Sequence, residues 1–567
     1  MNSGEWYILL ICAACVFLVY QFYFHQKKNK EEFIQKAKKE WGKILEREED
    51  YEQLERAAHF FQNYKNRAKN LIDDITWNDL DMDRIFQMMN HTYSSIGEEY
   101  LYWILRTPVT EKEEQEKKIL SKRDFLIHFF STHEEERIKL QLMFKTIGKM
   151  RTNSISDYVM NLFDVEILPN LHHYLMFGAL LLSVVLLFLI PSIGILCLIA
   201  SLGCTIYQYF KEKGRVEVYF SCFAQIASML HYVEELEKMN IEELSPYVEN
   251  LKKAYKNLKS FQKGVKFLGT NNMTGSFVEI FLDYVRILTH IDLIKFNQML
   301  QIFHRHSEDI EILMQNFGLL ESMIAIASFR ESMPYYCIPE FISGTKAKLM
   351  VEQIYHPQIQ NPVANSITER KGALITGSNA SGKSTFLKTI AINAILSQTI
   401  YTTLAKSYQA NYFKILSSMA LQDNLIEQES YYIVEIKSLK RILDSAKEGE
   451  AILCFVDEVL RGTNTIERIA ASAQILKSLS CDNVLCFAAT HDIELTYMLE
   501  DSYSNYHFQE EVIEEKNDIL FDYILYSGRA VSRNAIKLLS MIGYEKEIIK
   551  RAERSAEEFL KKGEWRC

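Results

Sequence analysis

Gly377-Ser-Asn-Ala-Ser-Gly-Lys-Ser-Thr385 satisfies the pattern G-x-x-x-x-G-K-[ST], and its reading decides the fold of the C-terminal part of the chain. The two glycines let the backbone wrap closely enough for successive N–H groups to point at a phosphate. Lys383 is then spaced to reach the β/γ oxygens, and the Ser384 hydroxyl to take one position on Mg²⁺. The flanks agree. Gly372-Ala-Leu-Ile-Thr376 reads as a short buried strand, and residues 385–395 read as a helix whose N-terminal dipole faces the phosphates. Gly377, Ser378, Asn379, Ala380, Ser381, Gly382, Lys383, Ser384 and Thr385 are therefore expected to bind ATP together with Mg²⁺.

Two further apolar runs end in polar pairs. Residues 451–458 read as a strand closing on Asp457 and Glu458, expected to lie beside the loop strand. Asp457 would then hold Mg²⁺ through water, and Glu458 would orient or deprotonate an attacking water. Residues 484–491 read as a second buried strand, with His491 at its C-terminal end placed to sense the γ-phosphate. A single histidine is more often structural, so that role depends on context. The expected catalytic residues are Glu458 and His491, and the expected metal ligands Ser384 and Asp457.

Composition narrows what surrounds this site. The 567 residues suffice for roughly three or four domains, and 48% hydrophobic content supplies ample core. A net charge of -10, from 64 basic and 74 acidic residues, does not suggest a polyanion binder, because DNA affinity rests on Lys and Arg neutralising phosphates. Ten scattered cysteines fit a reducing cytosol, and Cys12-Ala-Ala-Cys15 lies inside an apolar run rather than a redox context. With only 8 prolines and periodic Glu/Lys/Leu segments, most of the chain should be helical.

Residues 6–24 hold no Asp, Glu, Lys or Arg, and these 19 positions are about what a bilayer core demands. Lys27, Lys28 and Lys30 follow, while only Glu5 precedes them as a charge, which puts the N-terminus outside and the rest in the cytoplasm. Residues 171–210 are forty positions without an Asp, Glu, Lys or Arg, broken by Pro191-Ser-Ile-Gly194. The arms 174–190 and 195–210 predict a membrane hairpin, returned to the cytoplasm by Lys211, Lys213 and Arg215. The chain is thus expected in the cell membrane, multi-pass, with the lipid bilayer as a partner. Residues 80–89 and 96–105 predict amphipathic helices, and the charged stretch 234–266 predicts a solvated, coiled-coil-like lever.

The motifs together resemble one family. The phosphate loop with Asn379, the run Asp457-Glu-Val-Leu-Arg-Gly-Thr-Asn-Thr465 and Ala489-Thr-His-Asp-Ile-Glu-Leu495 look like the ATPase domain of the MutS family, a relative of the ABC ATPases. Tyr355-His-Pro357 and Pro362-Val-Ala-Asn365 resemble the segment that approaches the adenine. Ser430-Tyr-Tyr-Ile-Val-Glu-Ile436 resembles the signature segment, which implies that Ser430 contacts nucleotide on the opposite subunit and that the site is composite. Residues 527–557 resemble the C-terminal dimerisation element, with Ile536, Leu539, Ile542 and Ile548 as an apolar stripe. The implied partner is a second copy, paired through the ATPase domains and C-terminal helices.

The expected fold class is mixed: three transmembrane helices, an all-α lever and core region, and a C-terminal α/β P-loop ATPase domain of ABC/MutS type. The expected parts are an N-terminal anchor (1–30), a stalk and first half of the core and lever (31–170), the transmembrane hairpin (171–210), the second half of the lever (211–333), the ATPase domain (334–528) and the dimerisation element (529–567). Two departures from the family matter. No mismatch-reading domain precedes the core, and the hairpin stands where relatives carry a DNA clamp. The expected function is a membrane-anchored MutS-like ATP hydrolase whose composite dimer sites move the lever and hairpin. Tethered mismatch or branched-DNA binding stays open as an alternative, with an ABC-transporter-like ATPase behind it; DNA as a partner has no support from charge, clamp or mismatch domain.

Overall fold

Helical periodicity dominates the first part of the chain and β-branched runs the last, and the computed structural model follows that division. It describes residues 3–44, 50–110, 114–150, 153–268, 277–378, 381–419, 431–460, 463–513, 518–529, 536, 539 and 543–562. The chain forms two compact units: Met1–Arg67, Met89–Trp103 and Phe125–Glu331 make the first, and Ala68–Met88, Ile104–Asp124 and Ser332–Cys567 the second.

The first unit is helical. Ser3–Glu40 is one continuous helix, so residues 6–24 and the basic residues after them lie on a single rod. Leu171–Leu189 and Pro191–Val216 pack together as a helical hairpin. A Cβ on Gly194 would fall 2.3 Å from the Leu187 Cα, so the close approach at the bend requires glycine. Ser183 and Ser201 meet across the arms at 3.2 Å while each hydroxyl also bonds its own helix, a small-residue contact that needs no water. Phe188, Leu189 and Leu196 are exposed. Among the described residues, three helical stretches are long and apolar enough to cross a membrane: Leu171–Leu189, Pro191–Met239 and Ser307–Ser332. Burial separates them. The apolar window is 17% buried in the first two and 78% buried in the third, which is therefore the core helix of this unit.

The expected lever at 234–266 is corrected. The helix Phe220–Met239 ends at Asn240, whose left-handed backbone (φ 48°) caps it, and a new helix runs Ser245–Val265 with Pro246 in its first turn. Tyr255 bonds Glu234 and Lys252 pairs with Glu237, so the two helices fold back antiparallel. Leu251, Ala254, Leu258 and Phe261 are buried, which makes this stretch a packed hairpin and not a solvated rod.

Among the described residues, the second unit carries ten strands: β1 (Glu340–Ile342), β2 (Leu349–Ile354), β3 (Asn365–Glu369), β4 (Gly372–Thr376), β5 (Ser407–Asn411), β6 (Lys414–Ser418), β7 (Ile452–Asp457), β8 (Val484–Ala489), β9 (Tyr503–Ile513) and β10 (Asp518–Ser527). Four form a small sheet in the order β1-β5-β2-β3, and six form the main sheet in the order β10-β9-β4-β8-β7-β6. The main sheet is parallel from β9 to β6, with β10 antiparallel at one edge. Its central strands are apolar on both faces, as a sheet covered by helices requires: β4 and β8 are buried along their whole length. The early segment 68–88 joins this unit through a buried carboxylate. Asp79 Oδ2 accepts from the Ser417 hydroxyl (2.6 Å) and the Met419 N–H (2.9 Å), at the C-terminal end of β6.

Candidate nucleotide site

The loop that leaves β4 is shaped by its two glycines. Gly377 has φ 151° and Gly382 φ 104°; a Cβ at Gly377 would lie 2.7 Å from the Ser381 hydroxyl and 3.2 Å from the Phe508 carbonyl. The helix Lys383–Ile400 starts at Lys383, two residues earlier than the sequence pattern indicates. This placement sets the lysine on the first turn. Its Nζ donates to the carbonyls of Gly377 (2.9 Å) and Ser378 (2.7 Å) and lies 3.4 Å from His491 Nε2. The Ser384 hydroxyl donates to Asp457 Oδ2 at 2.5 Å.

Strand order here differs from expectation. β7, which ends on Asp457, is not adjacent to β4; β8 lies between them. The loop strand lies between β9 and β8, the strand that leads to His491, and on the β8 side the Thr490 N–H bonds Ile375 O (3.0 Å). Asp457 still meets Ser384, and Glu458 meets His491 (Oε1 to Nε2, 2.8 Å). Glu458 and Leu460 both sit in left-handed backbone (φ 58°), a costly conformation for non-glycine residues. Glu458 N–H bonds Ala489 O and Leu460 N–H bonds Glu435 Oε1, and these bonds hold the turn. The loop after β8 is pinned by Arg468, which grips Asp492 with two bonds (2.6 and 3.0 Å).

A pocket of about 540 Å³ opens beside these groups, and its lining includes Ser378, Lys383, Ser384, Thr385 and Glu458 together with His356, Pro362 and Val363. The donor set fits a phosphate with a hard cation. Among the described residues, Asp457 Oδ1 and Ser381 Oγ are buried with no hydrogen-bond partner, although each is a polar atom that burial alone would penalise. Lys383, Ser384 and Asp457 are the residues that could hold phosphate oxygens and Mg²⁺. Asn379, Ala380, Ser430 and Arg461 lie outside the described residues, as does Ile542 of the C-terminal stripe. Of that stripe, Ile548 is exposed, while Ile549 beside it is buried.

Some lining residues were not legible in the motifs. Tyr523 enters the pocket from a bulge in β10, in left-handed backbone (φ 55°), and the Asn365 side-chain amide pins that bulge by bonding Tyr523 O (3.0 Å) and Leu525 N–H (2.8 Å). Glu510 on β9 accepts from the Ser378 hydroxyl. The only sequence signal was Asn365 itself, quoted for another reason.

His356 is pushed down from 6.5 to about 4, by burial first and by the Lys388 charge second. Between those values the unfolded chain holds a proton that the folded chain does not, so stability contributed by neutral His356 is lost as pH falls from 6.5 towards 4. The full shift corresponds to about 3 kcal/mol. In denaturation experiments the wild type should lose about that much more than His356→Asn over this interval. Parallel pH–stability curves for the two chains would contradict it.

Residues 373–560 match MutS domain V. The C-terminal domain belongs to the MutS family. The DNA mismatch repair protein MutS of Pseudothermotoga lettingae is 28% identical over 241 residues, which is 40% of this chain and 29% of that protein. The chain thus matches less than a third of that relative's length. The MutS-type domain contains every described residue of the nucleotide pocket from Ser378 onward, while His356 and the 360–365 segment precede the matched residues.

Proposed function

We propose that this chain is a membrane-anchored, dimeric MutS-type ATPase that binds and hydrolyses ATP at composite sites and uses the cycle to move its helical region and hairpin. The observation that carries the reading is the meeting of Lys383, Ser384, Asp457, Glu458 and His491 from three separate strand ends: Ser384 bonds Asp457, His491 lies beside Lys383 and pairs with Glu458, and Lys383, Ser384 and Glu458 line the pocket. When bound, Mg²⁺ supplies charge neutralisation between the β- and γ-phosphates. Lys383 exchanges its two loop carbonyls for phosphate oxygens. Ser384 and Asp457 hold the cation, which relieves the orphaned Asp457 Oδ1. Glu458 takes a proton from the attacking water at a carboxylate oxygen, and His491 Nε2 keeps that carboxylate aimed. Ser430 acts in trans, as the family resemblance implies.

The exposed apolar surface of the hairpin and the basic residues that follow it support a bilayer as the partner. The helix Phe277–Thr289 adds to that surface: it packs against both arms and exposes Ile280, Phe281 and Tyr284. DNA is the second reading, supported by the name of the matched relative and opposed by the acidic balance. Detergent-purified protein should release phosphate from ATP; no release under any nucleotide condition would refute the ATPase. Titration with duplex and mismatched DNA at two salt concentrations separates the readings. A steep salt slope supports DNA binding, and no binding near physiological salt supports the membrane role alone.

A further inference from the structure

Two adjacent histidines and a glutamate about 40 positions later meet at the base of the hairpin. His172 and His173 begin its first arm, and Glu212 lies near the end of its second. His172 Nε2 is 2.9 Å from Glu212 Oε1, and His173 Nε2 is 3.2 Å from Glu212 Oε2. All three ligand atoms lie within 4.8 Å of one another. Gln208 Nε2 also donates to Glu212 Oε1, at 2.5 Å.

The hydrogen bonds on the far side of each ring decide what faces the carboxylate. His172 Nδ1 lies 2.9 Å from Pro169 O, and a carbonyl can only accept, so Nδ1 carries the proton. His290 Nε2 lies 3.1 Å from Thr205 O and carries its proton for the same reason. A neutral His290 then has a bare Nδ1, which accepts from His173 Nδ1 at 2.9 Å. With the rings of His172 and His173 neutral, the remaining nitrogen of each, Nε2, is left with a lone pair. Two lone pairs and a carboxylate therefore face one another in a site where His173 is 1% exposed. Among the described residues, His173 Nε2 is buried without a hydrogen-bond partner, so the short distance to Glu212 is not satisfied by a bond. Acceptors in that arrangement repel unless a cation sits between them.

We propose that His172, His173 and Glu212 bind a divalent transition-metal ion, zinc by ligand chemistry, which ties the two ends of the hairpin together. Two imidazoles with one carboxylate suit zinc and its first-row neighbours and disfavour Mg²⁺ and Ca²⁺, which take oxygen ligands. Around a tetrahedral zinc at about 2.0–2.1 Å, ligand atoms stand roughly 3.3 Å apart. The two nitrogen–oxygen distances, 2.9 Å to Oε1 and 3.2 Å to Oε2, are near that spacing, each to a different oxygen of the carboxylate, and the three ligand atoms lie within 4.8 Å of one another. The carbonyl of Pro169 and the His290–Thr205 relay are the outer partners that a metal-binding histidine needs to fix its tautomer. Glu212 also lines a pocket of about 330 Å³ together with Asp164, Glu166 and Arg215. The site stands on contacts within the helical unit and does not depend on the ATPase reading.

The test uses the full chain in detergent, stripped with chelator and titrated with Zn²⁺ and, for visible absorption, Co²⁺. The expected result is one equivalent of zinc retained after desalting. Glu212→Gln and His173→Ala should each lower zinc affinity more than about tenfold, and His290→Ala by about 10–100-fold through loss of the outer partner. Should buried His173→Ala fail to fold, half-exposed His172→Ala carries the same expectation. A rival occupant is the proton alone, with the rings as imidazolium; it predicts no stoichiometric zinc. That outcome, or a zinc affinity unchanged in Glu212→Gln, overturns the proposal.

Discussion

The Lys383→Ala chain should hydrolyse ATP at about a hundredth to a thousandth of the wild-type rate, the cost of removing one preorganised charge from a developing anion. Lys383 is 5% exposed, and its Nζ closes the loop on its own carbonyls at 2.9 and 2.7 Å. On the proposed ATPase reading it would serve two purposes: a counter-charge for phosphate when nucleotide is bound, and otherwise the clasp on the loop that these two bonds make. Alanine loses both, leaving two carbonyls without their donor. Lys383→Arg keeps the charge but replaces a compact ammonium with a planar fork that cannot repeat both bonds, so it should recover binding better than turnover. Phosphate release measured beside a melting curve separates the roles. Turnover within about twofold of wild type in a folded Lys383→Ala chain would remove the assignment of this loop.

Glu458→Gln should bind ATP almost as tightly as wild type and turn it over about 10²–10⁴-fold more slowly, the usual contribution of a general base. The amide keeps the shape and a contact to His491 but cannot take a proton. The bound state should accumulate as a dimer in sedimentation, since hydrolysis no longer resets it; only monomer with ATP would refute the composite site. Backbone strain gives a further separation of stability from function. Glu458 has φ 58°, and a left-handed residue costs roughly 1–2 kcal/mol. Glu458→Gly should therefore melt at least as high as wild type and still fail to turn over. A protein that keeps such a residue where glycine would be more stable is using the side chain.

Much of the site was readable because its signals are local. A glycine at φ 104° followed by a lysine on the first helical turn is set by a few consecutive residues, and so are two apolar runs that end in acids or histidine. What failed was the inference across the sheet. Nothing in residues 451–458 shows that β8 is inserted between β7 and β4, because crossover order depends on where the helices pack, not on the strand. Tyr523 was invisible for a similar reason: it reaches the pocket through a bulge pinned by Asn365, about 160 residues earlier. The lever at 234–266 failed differently. Charge count suggested a solvated rod, while one asparagine in left-handed backbone folded the stretch on itself and buried the apolar stripe between the charges.

Apolar length was ambiguous in the same way. Ser307–Ser332 and Leu171–Leu189 are both long and apolar, yet one is a core helix and the other exposes its surface. Hydropathy measures what a helix avoids, and only the neighbours determine whether protein or another apolar medium satisfies it. By itself, the sequence determined that this chain has a G-x-x-x-x-G-K-[ST] loop between a strand and a helix, a pair of acids ending a later apolar run and a long uncharged hairpin, because each is written in contiguous residues. Tertiary structure alone decided which strand flanks the loop, which apolar helix is interior and that His172, His173, Glu212 and His290 come together. Those outcomes depend on contacts between residues some 40 to 120 positions apart, which no local pattern encodes.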